Sequence, residues 1–400
     1  MKRKHDRVIV IGGGPVGCVT ALLLAQKGIP VTVAEKEAGM VLDYRASTFH
    51  PPTLDLLEES GVTEALVHMG LKCTTNQFRD RKKGKIAEFD MSVLKNDTRH
   101  PYRLQCEQFK LVDWAYGVLG KMPNVELLFR HEFSSLTQSE DGITVMLDSP
   151  EGQRTVKADV VIGTDGGRSA VRKNLGIEFE GFTYPEHFLV AGARHDFKKQ
   201  MPDICSVNYT ADPDEWYLLL EIPDMWRIIT PADPNIEPSE AVKEERLQSS
   251  LQNIAPRTEP YEILVKGIYR VHQRVAKTYR QGNVFLAGDA CHLNNPLGGM
   301  GLNGGLQDAL SLCGRLSKVW HGTAPDAELD GYEPQRLPEA INAIHAITQR
   351  NKKLLEERDT VVRERNLAEM AAIAADPKRA YQYMLDAAMI TSLRRSGMLR

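Results

Sequence analysis

One stretch near the amino terminus, RVIVIGGGPVGCVTALLLAQKGIPVTVAEKE (residues 7–37), constrains the fold more than any other part of the chain. A β-branched run, Arg7 to Ile11, passes straight into glycines and then into a segment of helical composition, Val16 to Lys27. A second β-branched run, Val31 to Ala34, follows. Gly12, Gly14 and Gly17 supply the spacing G-x-G-x-x-G at the point where strand gives way to helix. In that setting the first glycine permits a tight turn, the second lets the backbone approach a pyrophosphate, and the third lets helix and strand pack closely. The phosphates would lie on the free N–H groups and positive end of the helix. Glu35 closes the second strand roughly 20 residues on, where an acid accepts hydrogen bonds from ribose hydroxyls. The stretch predicts a dinucleotide-binding βαβ unit and hence an α/β fold. The glycines alone do not separate NAD from FAD.

The basic start and apolar run of the same stretch imitate a signal peptide, but Gly12-Gly13-Gly14-Pro15 interrupts the run. No segment reaches the ~20 uninterrupted apolar residues of a membrane span, so no integral membrane association is expected. A formal net charge of −3 gives no electrostatic reason to expect nucleic acid or an anionic membrane as partner. The six cysteines lie far apart without a C-x-x-C pair. That argues against a metal site or a disulfide framework and fits reduced thiols in the cytoplasm. At 400 residues the chain exceeds one ordinary domain, and two are expected.

Three distant stretches decide the cofactor. Arg45-Ala46 follows the second strand, within LDYRASTFHPPTLDLLEESGV. In ADVVIGTDGGRSAVRKNLGI an apolar strand, Val160 to Ile162, ends at Gly163 and is followed by Asp165-Gly166. In NVFLAGDACHLNNPLGGMGLNGGLQDA another strand stops at Gly288 and delivers Asp289 at its carboxyl end, before a glycine-rich loop opens into a helix. With the amino-terminal fingerprint these motifs, in this order, resemble the FAD-dependent aromatic-ring hydroxylases, the single-component (class A) flavoprotein monooxygenases of the p-hydroxybenzoate hydroxylase type. The resemblance covers most of the chain.

Carried over by position, it implies that Gly12, Gly14, Gly17 and Glu35 hold the ADP half of FAD and that Arg45 lies along the flavin side. Gln108 would contact the ribityl region. Asp165 would help hold the pyrophosphate region and shape the groove that NAD(P)H visits. Asp289, beside Gly288, would bind a ribityl hydroxyl. Pro296, in the flavin-adjacent loop, and Gly299, Gly301, Leu302 and Asn303 would form the flavin cradle, because a helix amino terminus stabilises the negative charge of reduced flavin. No strand leads directly into the second G-x-G-x-x-G, at 299, 301 and 304, so it is not read as a second nucleotide fold. The implied chemistry is reduction of FAD by NAD(P)H, addition of O2 at flavin C4a, and delivery of one oxygen from the hydroperoxide to an aromatic ring, as in aromatic compound catabolism. By the same analogy a homodimer is expected.

The FAD-binding domain would be discontinuous, over 1–75, 100–180 and 276–335. Residues 76–99 and 181–275 would build an antiparallel sheet over the flavin, and 336–400 would be helical. Within WYLLLEIP, period-two alternation puts Trp216, Leu218 and Leu220 on one face and Tyr217, Leu219 and Glu221 on the other. Tyr217 and Leu219 are taken as substrate-facing. His50, five residues beyond Arg45, is the first candidate for a proton relay to a phenolic substrate, with a structural role as the competing reading. His272, with Arg270, Gln273 and Arg274, is a candidate for meeting NAD(P)H, with a solvated strand edge as the competing reading. The run WYLLLEIP has no arginine, unlike the best-known members, so a carboxylated benzoate is in doubt as substrate. A neutral phenol, a hydroxypyridine or quinolone, or a larger aromatic is at least as compatible. Two other readings stay open: a ubiquinone-pathway-type hydroxylase of a prenylated phenol, and a flavin-binding redox sensor without a hydroxylated product.

Overall fold

The computed structural model describes residues 4–399. At its centre the Val8–Ile11 strand lies between Val31–Glu35 and Val160–Gly163, parallel to both. Val125–Phe129 extends the sheet beyond Val31–Glu35, and Val284–Leu286 with the two-residue Arg280–Gln281 strand extends it on the other side. A central parallel strand is covered on both faces, which is why Val8 to Ile11 is an unbroken apolar run and entirely buried. The Pro15–Gln26 helix, with Pro15 in its first turn and no acidic residue there, packs between this sheet and the long Met300–Trp320 helix. Its all-round apolar sequence is that of an interior helix.

A second sheet of eight strands stands beside the first. Its spine is the pairing of two long strands, Phe179–Arg194 and Glu262–Ala276. Met225–Ala232, Tyr217–Ile222 and Val207–Ala211 follow in antiparallel order. Thr75–Asp80 and Gly84–Asp90 complete it from a distant part of the chain, and Thr75–Asp80 joins Val207–Ala211 in parallel. The expectation of an antiparallel sheet therefore needs one correction, at that joint. A strand arriving from outside the meander is free of the hairpin geometry that makes neighbours antiparallel. Glu132–Ser139, Gly142–Ser149 and Gly152–Ala158 make a separate three-stranded antiparallel sheet.

The carboxyl-terminal part is helical. Pro338 lies inside the Tyr332–Glu339 helix, and the backbone continues as a π-helix over Ala340–His345 before Ala346–Glu356 resumes as α-helix. Proline removes an N–H and crowds the preceding turn, and a widened turn accommodates both. Leu355, Leu367, Met370, Met384 and Ile390 from these helices bury against Phe78, Phe89, Trp216 and Leu218 of the eight-stranded sheet. The helices thus seal one face of that sheet.

Candidate active site

A cleft of about 1130 Å³ is lined by residues of both large sheets. At one end lies the glycine turn. Gly12 has φ +99°, and a Cβ there would stand 2.7 Å from the Thr164 carbonyl oxygen. A Cβ on Gly17 would meet the Gly12 carbonyl oxygen at 1.9 Å, so only glycine lets the helix pack this closely on the turn. Gly14 differs: a Cβ there would meet nothing within 4 Å, and its backbone faces open cleft. Glu35 lines the same end, accepting from the Gly13 N–H at 2.7 Å and the Glu37 N–H at 2.9 Å. Tyr116 Oη donates to the Gly13 carbonyl at 2.8 Å and fixes the turn from the other side.

Further along, Asp165 lines the cleft and accepts from Ser169 Oγ at 2.6 Å and the Ala170 N–H at 2.7 Å, which caps the short helix after the Val160–Gly163 strand. Asp289 sits in the turn after Val284–Leu286, beside Gly288 at φ +66°. Its side chain is exposed to the cleft but enclosed by the surrounding protein. That enclosure raises its carboxyl above the usual range, against the pull of Arg45 and His292. Arg45 faces the same space and is held in a bidentate pair with Asp43, Nε to Oδ1 at 3.0 Å and Nη2 to Oδ2 at 2.6 Å. Gln108 lines the cleft at the start of its helix, with its backbone N–H on the Ala46 carbonyl at 3.0 Å.

Pro296, Gly299, Gly301 and Leu302 complete the wall. The 21-residue helix begins at Met300, with Gly299 at φ +68° in front of it. The unpaired N–H groups of that first turn and the helix dipole favour negative charge in the cleft.

Three expectations are corrected. Asn303 is fully buried behind the wall: its Oδ1 accepts from the His50 N–H at 2.8 Å, and its Nδ2 donates to Thr48 and Gly299 carbonyls at 2.9 and 2.7 Å. It shapes the cradle without facing it. His50 is also fully buried and does not line the cleft; its Nε2 donates to the Gly298 carbonyl at 2.8 Å. Burial, and then the Arg103 charge, hold its imidazole down at about 3, so it is neutral and its role is to tie the cradle loop. Tyr217 and Leu219 point to the outer face, where they pack with Phe197, Trp226 and Leu251. Leu218 and Leu220 are the residues of that strand that line the cleft.

Several cleft residues had no sequence motif. Arg227 is 3% exposed and lines the cleft. Its guanidinium donates to Ser47 Oγ at 2.9 Å and the Arg45 carbonyl at 2.8 Å, while burial lowers its affinity for its proton. Tyr209, Ile229, Tyr269 and Val271 share the same wall. Arg194 instead pairs with Glu262 at 2.5 Å on an exposed strand. Arg168, Arg270 and His272 line the opening of the cleft. Burial, followed by Arg274, Arg270 and Arg168, keeps the His272 imidazole below its usual range. Gln273 is buried and accepts from the Asn295 N–H at 3.2 Å.

A glycine turn ahead of a helix, an acid at the end of the second strand and a second acid in a turn facing another helix amino terminus define a flavoprotein. The chain belongs to the FAD binding domain family, whose model matches residues 6–346. It is similar to para-nitrophenol 4-monooxygenase of a Pseudomonas species, 32% identical over 385 residues and covering 95% of each chain. It is also similar to 6-hydroxy-3-succinoylpyridine 3-monooxygenase of Pseudomonas putida, 34% identical, over 85% of this chain and 86% of that one. The crystal structure of p-nitrophenol 4-monooxygenase from Pseudomonas putida superposes with a TM-score of 0.91 at 32% identity, over 96% of this chain and 97% of that one. The chain is an FAD-dependent oxidoreductase of the monooxygenase kind. Its residues fit that cofactor, because the backbone at Gly14 is open where a pyrophosphate would lie and Asp289, with no ion-pair partner among the described residues, presents its carboxyl to the cleft.

Proposed function

We propose that this protein hydroxylates a small phenolic or N-heteroaromatic compound, using NAD(P)H and O2. The observation that carries the reading is the continuity of one cleft, from the glycine turn to an apolar end walled by Leu218, Leu220, Ile229 and Val271. A ring placed there lies within the same enclosed space as the cofactor. The names of the para-nitrophenol and hydroxypyridine relatives support the same substrate class.

Bound FAD supplies electron transfer and oxygen activation. The chain's own residues do the rest. Gly12, Gly14 and Glu35 hold the nucleotide end, with Gly17 letting the helix pack onto the turn and Asp165 shaping the groove beside it. Arg45, Gln108, Asp289 and the Pro296–Leu302 wall hold the flavin end. The amino terminus of the Met300–Trp320 helix favours negative charge there. The apolar wall excludes water. Arg168 and Arg270, beside His272, form a cationic opening suited to the phosphates of NAD(P)H, which needs no second Rossmann unit.

The test is NAD(P)H oxidation by the FAD-loaded protein with phenols, hydroxybenzoates, hydroxypyridines and quinolones. One compound should accelerate oxidation many-fold and gain one oxygen by mass. Equal oxidation with every compound, yielding only peroxide, would reject the hydroxylase reading.

A further inference from the structure

A second, smaller cavity adjoins the apolar end of the cleft, and Tyr209 and Met300 line both. Its volume is about 30 Å³. A water needs ~10–15 Å³ on this scale, so the cavity takes about two non-hydrogen atoms of a substituent and not a second ring. Its lining holds two arginines, Arg103 and Arg350, and no acid.

Arg103 is 4% exposed. Its Nη1 donates to Tyr209 Oη at 3.0 Å, its Nε has no partner, and no carboxylate pairs with it among the described residues. Asn76, 5% exposed on the same lining, leaves its side-chain oxygen without a partner. Arg350 is exposed and has no ion-pair partner among the described residues. A buried guanidinium whose partner is a neutral phenol lacks the compensation that burying a charge demands. The missing partner is an anion, and the cavity beside Arg103 is where it fits.

We propose that this cavity is an oxyanion subsite of the substrate pocket: Arg103 and Arg350 receive a phenolate or carboxylate carried by the aromatic substrate, with Tyr209 between that group and the ring. The inference rests on the hydroxylase reading for the presence of an aromatic substrate. Its cations come from two elements outside the cleft wall that carries Arg227, the Arg103–Gln105 strand and the Ala346–Glu356 helix.

The test measures dissociation constants for FAD-loaded protein, by flavin absorbance and by calorimetry, so turnover is not required. One pair of probes compares 4-hydroxybenzoate with 4-hydroxybenzamide. The other compares 4-nitrophenol, above its ionisation, with 4-nitrotoluene. The wild type should prefer the anion by about ten-fold or more in at least one pair, and which pair responds identifies carboxylate or phenolate. Arg103→Met should reduce that preference to about three-fold or less while changing the neutral probe's constant by less than that factor. Without an aromatic ligand, Arg103→Met should melt no lower than wild type, because it removes an uncompensated buried charge. Absence of anion preference in both pairs overturns the proposal. So does a preference untouched by both Arg103→Met and Arg350→Gln, or a lowered melting temperature with equal losses for neutral and anionic probes. If the Arg103-dependent preference stands but no compound gains oxygen, the subsite survives and the hydroxylase reading falls.

Discussion

Asp308 and Arg336 form an ion pair at 2.6 Å with both side chains sealed from solvent, and the other Asp308 oxygen accepts from the Gly288 N–H at 3.1 Å. His292 Nε2 meets that same oxygen at 2.8 Å. One carboxylate thus ties the long cradle helix to the turn that presents Asp289. Burial alone would raise the Asp308 carboxyl, but Arg336 and His292 outweigh it and hold it below the usual range. Asp308→Asn should cost about 3–5 kcal/mol, because Arg336 remains buried without its partner. Urea unfolding would measure the loss, and FAD titration of the folded fraction should show weaker binding. A variant as stable as wild type would show that the pair does not hold this turn.

The glycines at 14 and 17 should separate cofactor binding from folding. Gly17→Ala drives a methyl into the Gly12 carbonyl and should lower the melting temperature of the FAD-free protein markedly. Gly14→Ala meets no atom, so FAD-free stability should change by about 1 kcal/mol or less while FAD affinity falls. Equal losses of FAD-free stability in the two variants would contradict these assignments.

Acid should destabilise the protein well above the carboxylate range. Burial and then Arg103 hold His50 down at about 3, and burial and then His292 hold His345 at about 4. In the unfolded chain a histidine takes its proton near ~6.5. Between these values the unfolded chain binds more protons, so stability is fully present above about 6.5 and is lost as pH falls toward 4. Each histidine contributes up to ~1.4 kcal/mol per pH unit in that window. The urea midpoint should therefore drop between pH 6.5 and 4, and His345→Gln should flatten the drop. Parallel curves for wild type and variant would exclude His345 as a source.

Neighbouring leucines on one strand should give opposite phenotypes. Leu219, fully buried in the outer cluster, should cost about 2–5 kcal/mol on truncation to alanine while leaving ligand preference unchanged. Leu220 lines the cleft, and Leu220→Phe should change which aromatic compounds bind, read as shifted dissociation constants across the probe panel. A reversed pattern would put the substrate on the wrong face of the sheet.

What the sequence disclosed was local. The fingerprint from Gly12 to Glu35 and the acids at 165 and 289 combine a residue type with a spacing, and backbone geometry follows from spacing. Direction was harder to read. Period two says that Tyr217 and Leu219 share a face but not which face, and here both faces are apolar because the Glu244–Ile254 helix covers the outer one. His50 and Asn303 stand next to motif residues, yet the Asn303 side chain is turned inward onto the His50 N–H and the His50 ring onto the Gly298 carbonyl, partners far apart in the chain. Arg103 and Tyr209 belong to no pattern. Their importance comes from a strand and a sheet that meet only in the folded molecule.

The alternation of the two large sheets along the chain also bears on how the protein is made. The six-stranded sheet takes residues 8–35, 125–129, 160–163 and 280–286, while the eight-stranded sheet takes 75–90, 179–276 and 292–293. No single cut separates them. On the ribosome, Val160–Gly163 must wait more than a hundred residues for the neighbour that covers its open edge, Val284–Leu286. Such long-range closure slows folding and exposes strand edges in the meantime. Nascent chains stalled before residue 284 should consequently be the species that chaperones hold, and fragments ending there should aggregate rather than bind FAD.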